Sequence, residues 1–395
     1  MPDHRQEQKT STLGQLRDLK VVELGQNLAG PYASSILGDL GAEVVKVEKP
    51  GGDDARGWGP PFIDDLGVSF HLMNRNKKSV VLALDDPDDY ASFLDLIRWA
   101  DVFVHNLRPG VETKLKADAA TLREVNPRLI YAGMSAFGDQ GPMTHRPGYE
   151  PLLQAFGGMV AVNGDPEGPP SRVGPSVVDL GTGMWTVIGV LAALVERQST
   201  GRGAEVNTSL LETAVNWSAR HVADYGATGT IPPRVGTGHN SLTPYGAYQA
   251  GDGPIIIAAG NDRLFAKLAN AIGRPEWVDD ERFATNAERT RNRGVLDPLL
   301  SEVIGQKTTS EWDEILQEAG VPCAPIHSIP EVIEHPQVKA MEMILDHPND
   351  KLRLTRLPLS IDGARAGFGT DTPALDAHHD EVRALYKSTA KEEEK

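Results

Sequence analysis

From Lys20 onward the chain alternates short β-branched runs with stretches of helical period, and that alternation restricts the fold more than any other feature. Val21-Val22-Glu23-Leu24 is followed by a glycine-bounded helical stretch around Pro31 to Leu40, then by Glu43-Val44-Val45-Lys46-Val47. The pattern continues with Ser79 to Leu84, a helix over Tyr90 to Ala100, Asp101-Val102-Phe103-Val104 and Leu129-Ile130-Tyr131-Ala132. Strands joined through helices pair as parallel neighbours, so an α/β fold with a helix-covered parallel sheet is expected. Ligands on such sheets sit at the carboxyl ends of the strands.

Gly181 to Glu196 is apolar on nearly every face and is followed by Gln198-Ser199-Thr200-Gly201, which predicts a central helix closed by a glycine cap. Its charge-free core, Leu180 to Val195, is shorter than the roughly 20 residues that span a bilayer, so it is read as a buried helix. Tyr225 to Pro244 is rich in Gly, Pro and Thr and reads as a connection into a second unit. That unit is expected to hold a strand at Ile255 to Ala258 and helices near Leu264 to Ile272, Arg293 to Ile304 and Ser310 to Ala319. The last segment predicts a helix near Val332 to Met343, a strand pair within Leu352 to Ile361 and a helix near Glu381 to Tyr386. Met1 to Thr12 and Lys387 to Lys395 have no apolar period and are expected to be tails.

The 395 residues carry a formal charge of −16, which opposes nonspecific attraction to nucleic acid or anionic membrane. An anionic ligand would therefore have to meet a local basic cluster. A single cysteine, Cys323, leaves no internal disulfide, and a polar opening without an apolar signal segment completes the expectation of a soluble cytoplasmic protein.

Several chemistries lose their support. The turn Gly25-Gln26-Asn27-Leu28-Ala29-Gly30-Pro31 lacks the G-x-G-x-x-G of dinucleotide sites, and no phosphate loop for ATP occurs, so neither NAD nor ATP is expected. Nor is a metal, because the nearest candidate, His378-His379-Asp380, is read as a solvated segment. Cys323 lies in a context without charge and is read as structural, and no G-x-S-x-G elbow is present.

Two basic groups, Arg75-Asn76-Lys77-Lys78 and the pair Lys46 and Lys49, stand at strand ends and could hold phosphates, or else face solvent. Asp179 interrupts the apolar run Val177-Val178-Asp179-Leu180 directly before Gly181 and Gly183. It could be a helix N-cap. It could also be a nucleophile, kept ionised at neutral pH by the helix terminus and able to attack a carbonyl without a partner base.

The chain resembles the class III CoA-transferases, a family that includes α-methylacyl-CoA racemase as a branch. The matching stretches run from Leu19 to about Val382. They include Leu28 to Pro31, Gly38 to Glu48, Arg56-Gly57-Trp58, Asn76 to Ser79, Asn106 to Gly110, Arg146 to Tyr149, Asp179 with its glycines, Gly189 to Gly203, and Pro244-Tyr245-Gly246. The resemblance implies a Rossmann-like large domain over 19–205, completed by 340–386, and a small α+β domain over 225–325. Linkers at 206–224 and 326–339 and tails at 1–18 and 387–395 would complete the chain, and two copies would form an interlocked homodimer.

It further implies that Asp179 is the catalytic residue. Its carboxylate would attack a donor acyl-CoA to give a mixed anhydride, CoA would return to form an aspartyl-CoA thioester, and a carboxylic acid acceptor would then take the CoA. Coenzyme A contacts would fall on Leu28, Ala29, Lys49, Arg75, Asn76, Lys77, Lys78, Asn106, Leu107, Arg108, Lys114, Ser135, Ala136, Phe137 and Gly138. Trp58, Tyr149, Gly260 and Asn261 would meet the substrate. Ala258-Ala259-Gly260-Asn261 replaces the tetraglycine loop of formyl-CoA transferase, which argues against formate and oxalate as acceptors.

The leading expectation is a CoA-transferase using a short donor such as succinyl-CoA, with Arg172, Arg220 and Arg234 as candidate anchors for a second carboxylate. The alternatives are a racemase of 2-substituted acyl-CoA and a CoA-binding protein without turnover. A racemase needs two proton-transfer groups, and Tyr149 stands where racemases carry a histidine, with His145 close by.

Overall fold

The computed structural model describes residues 12–347 and 351–385, so most of both expected tails lies outside the described residues. The chain divides into two compact units. Among the described residues, those within 1–157, 174–218 and 336–395 form one, and those within 158–173 and 219–335 the other.

In the first unit six strands form one sheet: β1 (Lys20–Leu24), β2 (Glu43–Glu48), β3 (Lys77–Val81), β4 (Val102–His105), β5 (Ile130–Ser135) and β6 (Glu205–Ser209). Their order is β3-β2-β1-β4-β5-β6, and every pair is parallel. The strand order reverses between β1 and β4, which opens a crevice at their carboxyl ends. The unit's longer helices include α1 (Ala29–Asp39), α2 (Val68–Asn74), α3 (Pro87–Trp99), α4 (Ala119–Val125), α5 (Glu150–Phe156), α6 (Val177–Thr200) and α7 (Leu210–Trp217).

The apolar strand positions meet the helices in a core that includes Val22, Val45, Phe93, Leu96, Ile97, Phe103 and Leu122. Each such side chain contributes about 1.5–3 kcal/mol by leaving water. Helix α3 starts where Asp86 accepts the N–H groups of Asp88 and Asp89 and Pro87 fills the first turn, and it turns Phe93, Leu96 and Ile97 onto the sheet.

Helix α6 begins four residues before the expected Gly181 and ends, as expected, at a left-handed Gly201 with φ of 68°. It is not buried on every face. Val178, Thr182, Thr186 and Val190 are buried, while Met184, Trp185 and Ile188 are exposed. At 24 residues it is long and apolar enough to cross a membrane by length and composition, unlike its shorter charge-free core. Its glycines allow close approach: a Cβ on Gly183 would lie 2.9 Å from the Ala29 carbonyl oxygen, and one on Gly181 would lie 2.4 Å from Trp217.

Other differences have local causes. Residues 206–224, expected as a linker, carry most of β6 and the whole of α7. The polar run Glu205-Val206-Asn207-Thr208-Ser209 is an edge strand, where one apolar position in five hides the period. Residues 13–18, expected within the tail, are tied to the end of α1, where the Leu13 and Leu16 N–H groups donate to Asp39 and Leu40 at 2.9 Å. The helix expected over Val332 to Met343 is split into Ile329–Glu334 and Pro336–Ala340, because Pro336 lacks the N–H that a continuous helix needs. The expected strand pair is shifted: β10 (Ile344–Asp346) pairs antiparallel with β11 (Arg353–Thr355). The C-terminal helix occupies 379–385.

The second unit holds the antiparallel strands β7 (Tyr245–Gln249), β8 (Pro254–Ala258) and β9 (Cys323–Pro325), in the order β9-β8-β7. Its longer helices are α8 (Ala219–Thr228), α9 (Asp262–Ala271), α10 (Arg293–Ile304) and α11 (Thr309–Glu318). Phe265, Leu268, Phe283, Leu296 and Leu300 are among its core residues. Cys323 is half-buried beside Asp313, and burial followed by that carboxylate pushes its thiol up to about 11, consistent with an inert structural cysteine.

Candidate functional site at the strand-order reversal

Strands β1 and β4 end in turns that lock together, because Gln26 N–H donates to Asn106 Oδ1 and Asn106 Nδ2 donates to the Gln26 carbonyl, both at 2.8 Å. Asn27 in the first turn has φ of 61°, a conformation asparagine tolerates. Beneath the turn, the buried Glu23 pairs with Lys46 and Lys77 at 2.7 Å each, and Lys46 also pairs with Asp53 at 3.0 Å. Asp53 in turn accepts the Asn27 N–H at 3.3 Å. Burial alone would raise Glu23, but the two ammonium groups more than offset it and hold the carboxyl at about 2.

Above this floor lies a cavity of about 390 Å³. Of the expected site residues, Ala29, Lys49, Trp58, Asn106, Leu107, Arg108, Ser135, Ala136, Tyr149 and Asp179 line it. Lys49 at its edge pairs with Asp54 at 2.7 Å. Arg108 is exposed, and its guanidinium has no ion pair or hydrogen bond among the described residues. Trp58 and Tyr149 present faces 44% and 55% exposed.

The other expected contacts are placed elsewhere. Leu28 caps α1 by position without lining the cavity. The basic run does not reach the cavity, and its charges are taken up by acidic partners rather than left free to solvent. Arg75 is buried against Asp39, Asn76 donates to Asp39 at 2.8 Å, Lys77 belongs to the Glu23 network, and Lys78 pairs with Glu43 and Glu381. Lys114 is exposed outside the lining. Phe137 packs edge-on to Phe156. Gly138 lines a neighbouring cavity of about 410 Å³, with the buried His105, which burial lowers to about 4.

Gly260 and Asn261 belong to the second unit, where Asn261 accepts the Leu264 N–H at 2.9 Å to cap α9. The fully buried Arg289 holds the Gly260 carbonyl at 3.1 Å. Of the candidate anchors, Arg234 is tied to the carbonyls of Asp165, Pro166 and Gly168, and Arg220 to Asp224. Arg172 is exposed and donates to the Val173 carbonyl at 3.2 Å. The segment His378 to Asp380 is not simply solvated: His378 Nδ1 accepts the Ser79 N–H at 3.2 Å, and His379 meets Asp376 at 3.1 Å.

Asp179 reaches the cavity from the first turn of α6, two residues inside the helix start and with Ser176 at the cap position, so it is not the cap. Nor is it fully ionised at neutral pH, as its reference value suggested. Burial pushes its carboxyl up to about 7, and the Glu150 carboxylate adds to the rise. Glu150 is a site residue that sequence reasoning missed. It lies in the cavity lining directly after Tyr149, and its Oε1 accepts Gln154 Nε2 at 2.6 Å and the Val178 N–H at 3.4 Å. Gln26, Asn27 and Asp53 were missed as well, although the turn after the first strand was the available signal.

This arrangement can present one desolvated carboxylate to an electrophile while rim cations meet an anionic ligand. The family description "CoA-transferase family III" matches residues 16–379. An acetyl-CoA:oxalate CoA-transferase from Acetobacter aceti is 39% identical over 84% of this chain and 86% of its own length. A succinyl-CoA:mesaconate CoA-transferase from Haloarcula marismortui is 36% identical over 94% of this chain and 96% of its own. The crystal structure of a CAIB/BAIF family protein from Brucella suis superposes with a TM-score of 0.85 at 36% identity, covering 95% of this chain and 100% of that one. On the extent of these matches and the α/β architecture they share, the chain belongs to CoA-transferase family III and is a CoA-transferase.

Proposed function

We propose that the protein transfers CoA from a short acyl-CoA donor to a short dicarboxylic acid through covalent intermediates on Asp179. The carrying observation is that Asp179 is a half-buried carboxylate in the lining of the crevice cavity, with its pKa raised toward neutrality. A poorly solvated carboxylate is a stronger nucleophile than one in water.

In the first step a carboxylate oxygen of Asp179 bonds to the acyl carbon of the donor, and the thiolate of CoA leaves with the electrons of the C–S bond. The thiolate then attacks the aspartyl carbonyl of the mixed anhydride, forming the aspartyl-CoA thioester and releasing the donor acid as its carboxylate. The acceptor carboxylate attacks this thioester and expels the thiolate, which captures the acceptor's acyl carbon and restores Asp179. Charge is conserved at every step.

The named substrates of the relatives support the acceptor class: oxalate and mesaconate, and glutarate in a mouse relative that is 36% identical over 84% of this chain. Oxalate belongs in the panel despite the Ala258 to Asn261 segment, because one of these relatives is named for it. No histidine is in the cavity lining among the described residues, and His145 is exposed outside it, so the two-base racemase is the weaker reading.

The exposed apolar face of α6 supports a homodimer, with a second copy covering Met184, Trp185 and Ile188. A cytoplasmic location is part of the same proposal, supported by the lone cysteine.

The test is mass spectrometry of the protein incubated with acetyl- or succinyl-CoA and each dicarboxylate. A CoA-sized mass gain on the peptide containing Asp179, with formation of the acceptor's thioester, is the expected result. Turnover without any adduct, and unchanged by hydroxylamine, would overturn the mechanism.

A further inference from the structure

We infer that His71, His347 and Asp371 form a binding site for one divalent transition-metal ion, of the zinc class, which fastens the C-terminal segment to α2 within the first unit. One ligand atom from each of the three residues lies within 4.8 Å of the other two. Both histidines are buried, at 4% and 5% exposure, and Asp371 is exposed, so a dry pair of imidazoles has one solvent-facing entry.

The hydrogen bonds assign the ligand atoms. His71 Nε2 lies 3.0 Å from the Ile63 carbonyl oxygen, which can only accept, so Nε2 carries the proton and Nδ1 keeps its lone pair. That lone pair faces the Thr372 hydroxyl at 3.3 Å, beside Asp371. A backbone carbonyl that holds the far N–H of an imidazole is the arrangement that orients metal-ligating histidines. On the other side, His347 Nε2 faces Asp371 Oδ1 at 2.9 Å. An ion entering there displaces the proton between them, which is released to solvent as metal binds. Two imidazoles and one carboxylate suit zinc or its neighbours rather than magnesium or calcium, and three protein ligands leave one tetrahedral position for water.

The three residues come from distant parts of the chain. His71 is on α2, His347 follows β10, and Asp371 lies in the segment whose Thr370 N–H donates to Asn76 at 2.7 Å. None of them lines the cavity at Asp179. The ion would therefore stabilise the fold without entering the transfer reaction, which makes this inference independent of the Asp179 mechanism. Ligands contributed by α2 and by the C-terminal segment also explain why no sequence motif announced the site.

The test uses the full chain, stripped with a chelator and titrated with zinc chloride by calorimetry, with Tm followed in parallel. One zinc per chain and a Tm increase of several degrees are expected, and cobalt(II) should give the visible bands of a low-symmetry site with two nitrogen ligands. Asp371→Ala, an exposed change that leaves the fold standing, should weaken binding at least about tenfold and remove those bands. His71→Asn should do the same and, if it unfolds, the Asp371→Ala result decides. No binding at millimolar zinc would overturn the inference, as would stoichiometric binding that survives Asp371→Ala but is lost in a His378→Ala, His379→Ala double variant.

Discussion

Glu150 Oε1 accepts the backbone N–H of Val178 at 3.4 Å, which places a second carboxylate next to the residue that precedes Asp179. The first turn of α5 and the first turn of α6 are thereby joined at the cavity wall. Burial supplies the larger part of the rise in the Asp179 pKa and Glu150 the smaller.

The attacking form of Asp179 is the anion, so kcat/KM should rise with pH through about 7 and level off above it. Glu150→Gln removes the like charge and should move this limb toward lower pH. A pH–rate profile of both proteins checks the point, and a coincident pair of limbs would remove Glu150 from the electrostatics of the site.

Asp179→Asn should lower transfer by at least about a thousandfold. It should also stabilise the fold, because a carboxyl whose folded pKa lies above its unfolded value contributes stability below the unfolded value and loses it as pH rises through the folded one. The gain should be near zero below pH 4, grow up to about pH 7 and reach roughly 2–4 kcal/mol above it. Urea denaturation at several pH values measures it.

Arg108 is a rim cation with no internal partner among the described residues, while Lys49 is held by Asp54. Arg108→Ala should therefore raise KM for acyl-CoA roughly tenfold, the loss of one charge-assisted contact, with kcat little changed. Added salt should narrow the difference from wild type. Steady-state kinetics at two ionic strengths separates this from a fall in kcat.

Glu23→Gln leaves the buried Lys46 and Lys77 without their shared carboxylate and should cost about 3–5 kcal/mol. In the wild type the Glu23 contribution is present above the unfolded value of 4.5 and is lost only as pH falls toward about 2. The stability gap between the two proteins should accordingly shrink in acid, as thermal unfolding between pH 2 and 7 will show.

Ile188 is 54% exposed in the middle of the apolar face of α6. Ile188→Glu should shift the protein from dimer to monomer in light scattering. A wild-type protein that runs as a monomer at micromolar concentration would end the dimer proposal.

The sheet was legible because β1, β2, β4 and β5 are buried along most of their length, and such strands appear as short apolar runs. Strand β6 was not, because its alternation rests on one apolar residue beside four polar ones. Asp179 was legible as a lone carboxylate in an apolar run, yet its charge state was not. A reference pKa describes water, and the desolvation that raises it comes from groups brought together only by folding. The run Arg75 to Lys78 shows the converse, since its positive charges invited a phosphate but Asp39, Glu23, Glu43 and Glu381 take up the ionic ones.

Local order in this chain therefore follows from its residues alone. β-branched runs make strands, Pro87 and Asp86 start a helix, Gly201 ends another, and the alternation of strand and helix dictates a parallel sheet. Tertiary structure alone decided which cations stay available to a ligand, where the two imidazoles of His71 and His347 meet, and how much of the Asp179 carboxyl is ionised at neutral pH. The physical reason is range: backbone preference and apolar period act over a few residues, whereas desolvation and ion pairing depend on groups tens to hundreds of positions apart being packed side by side.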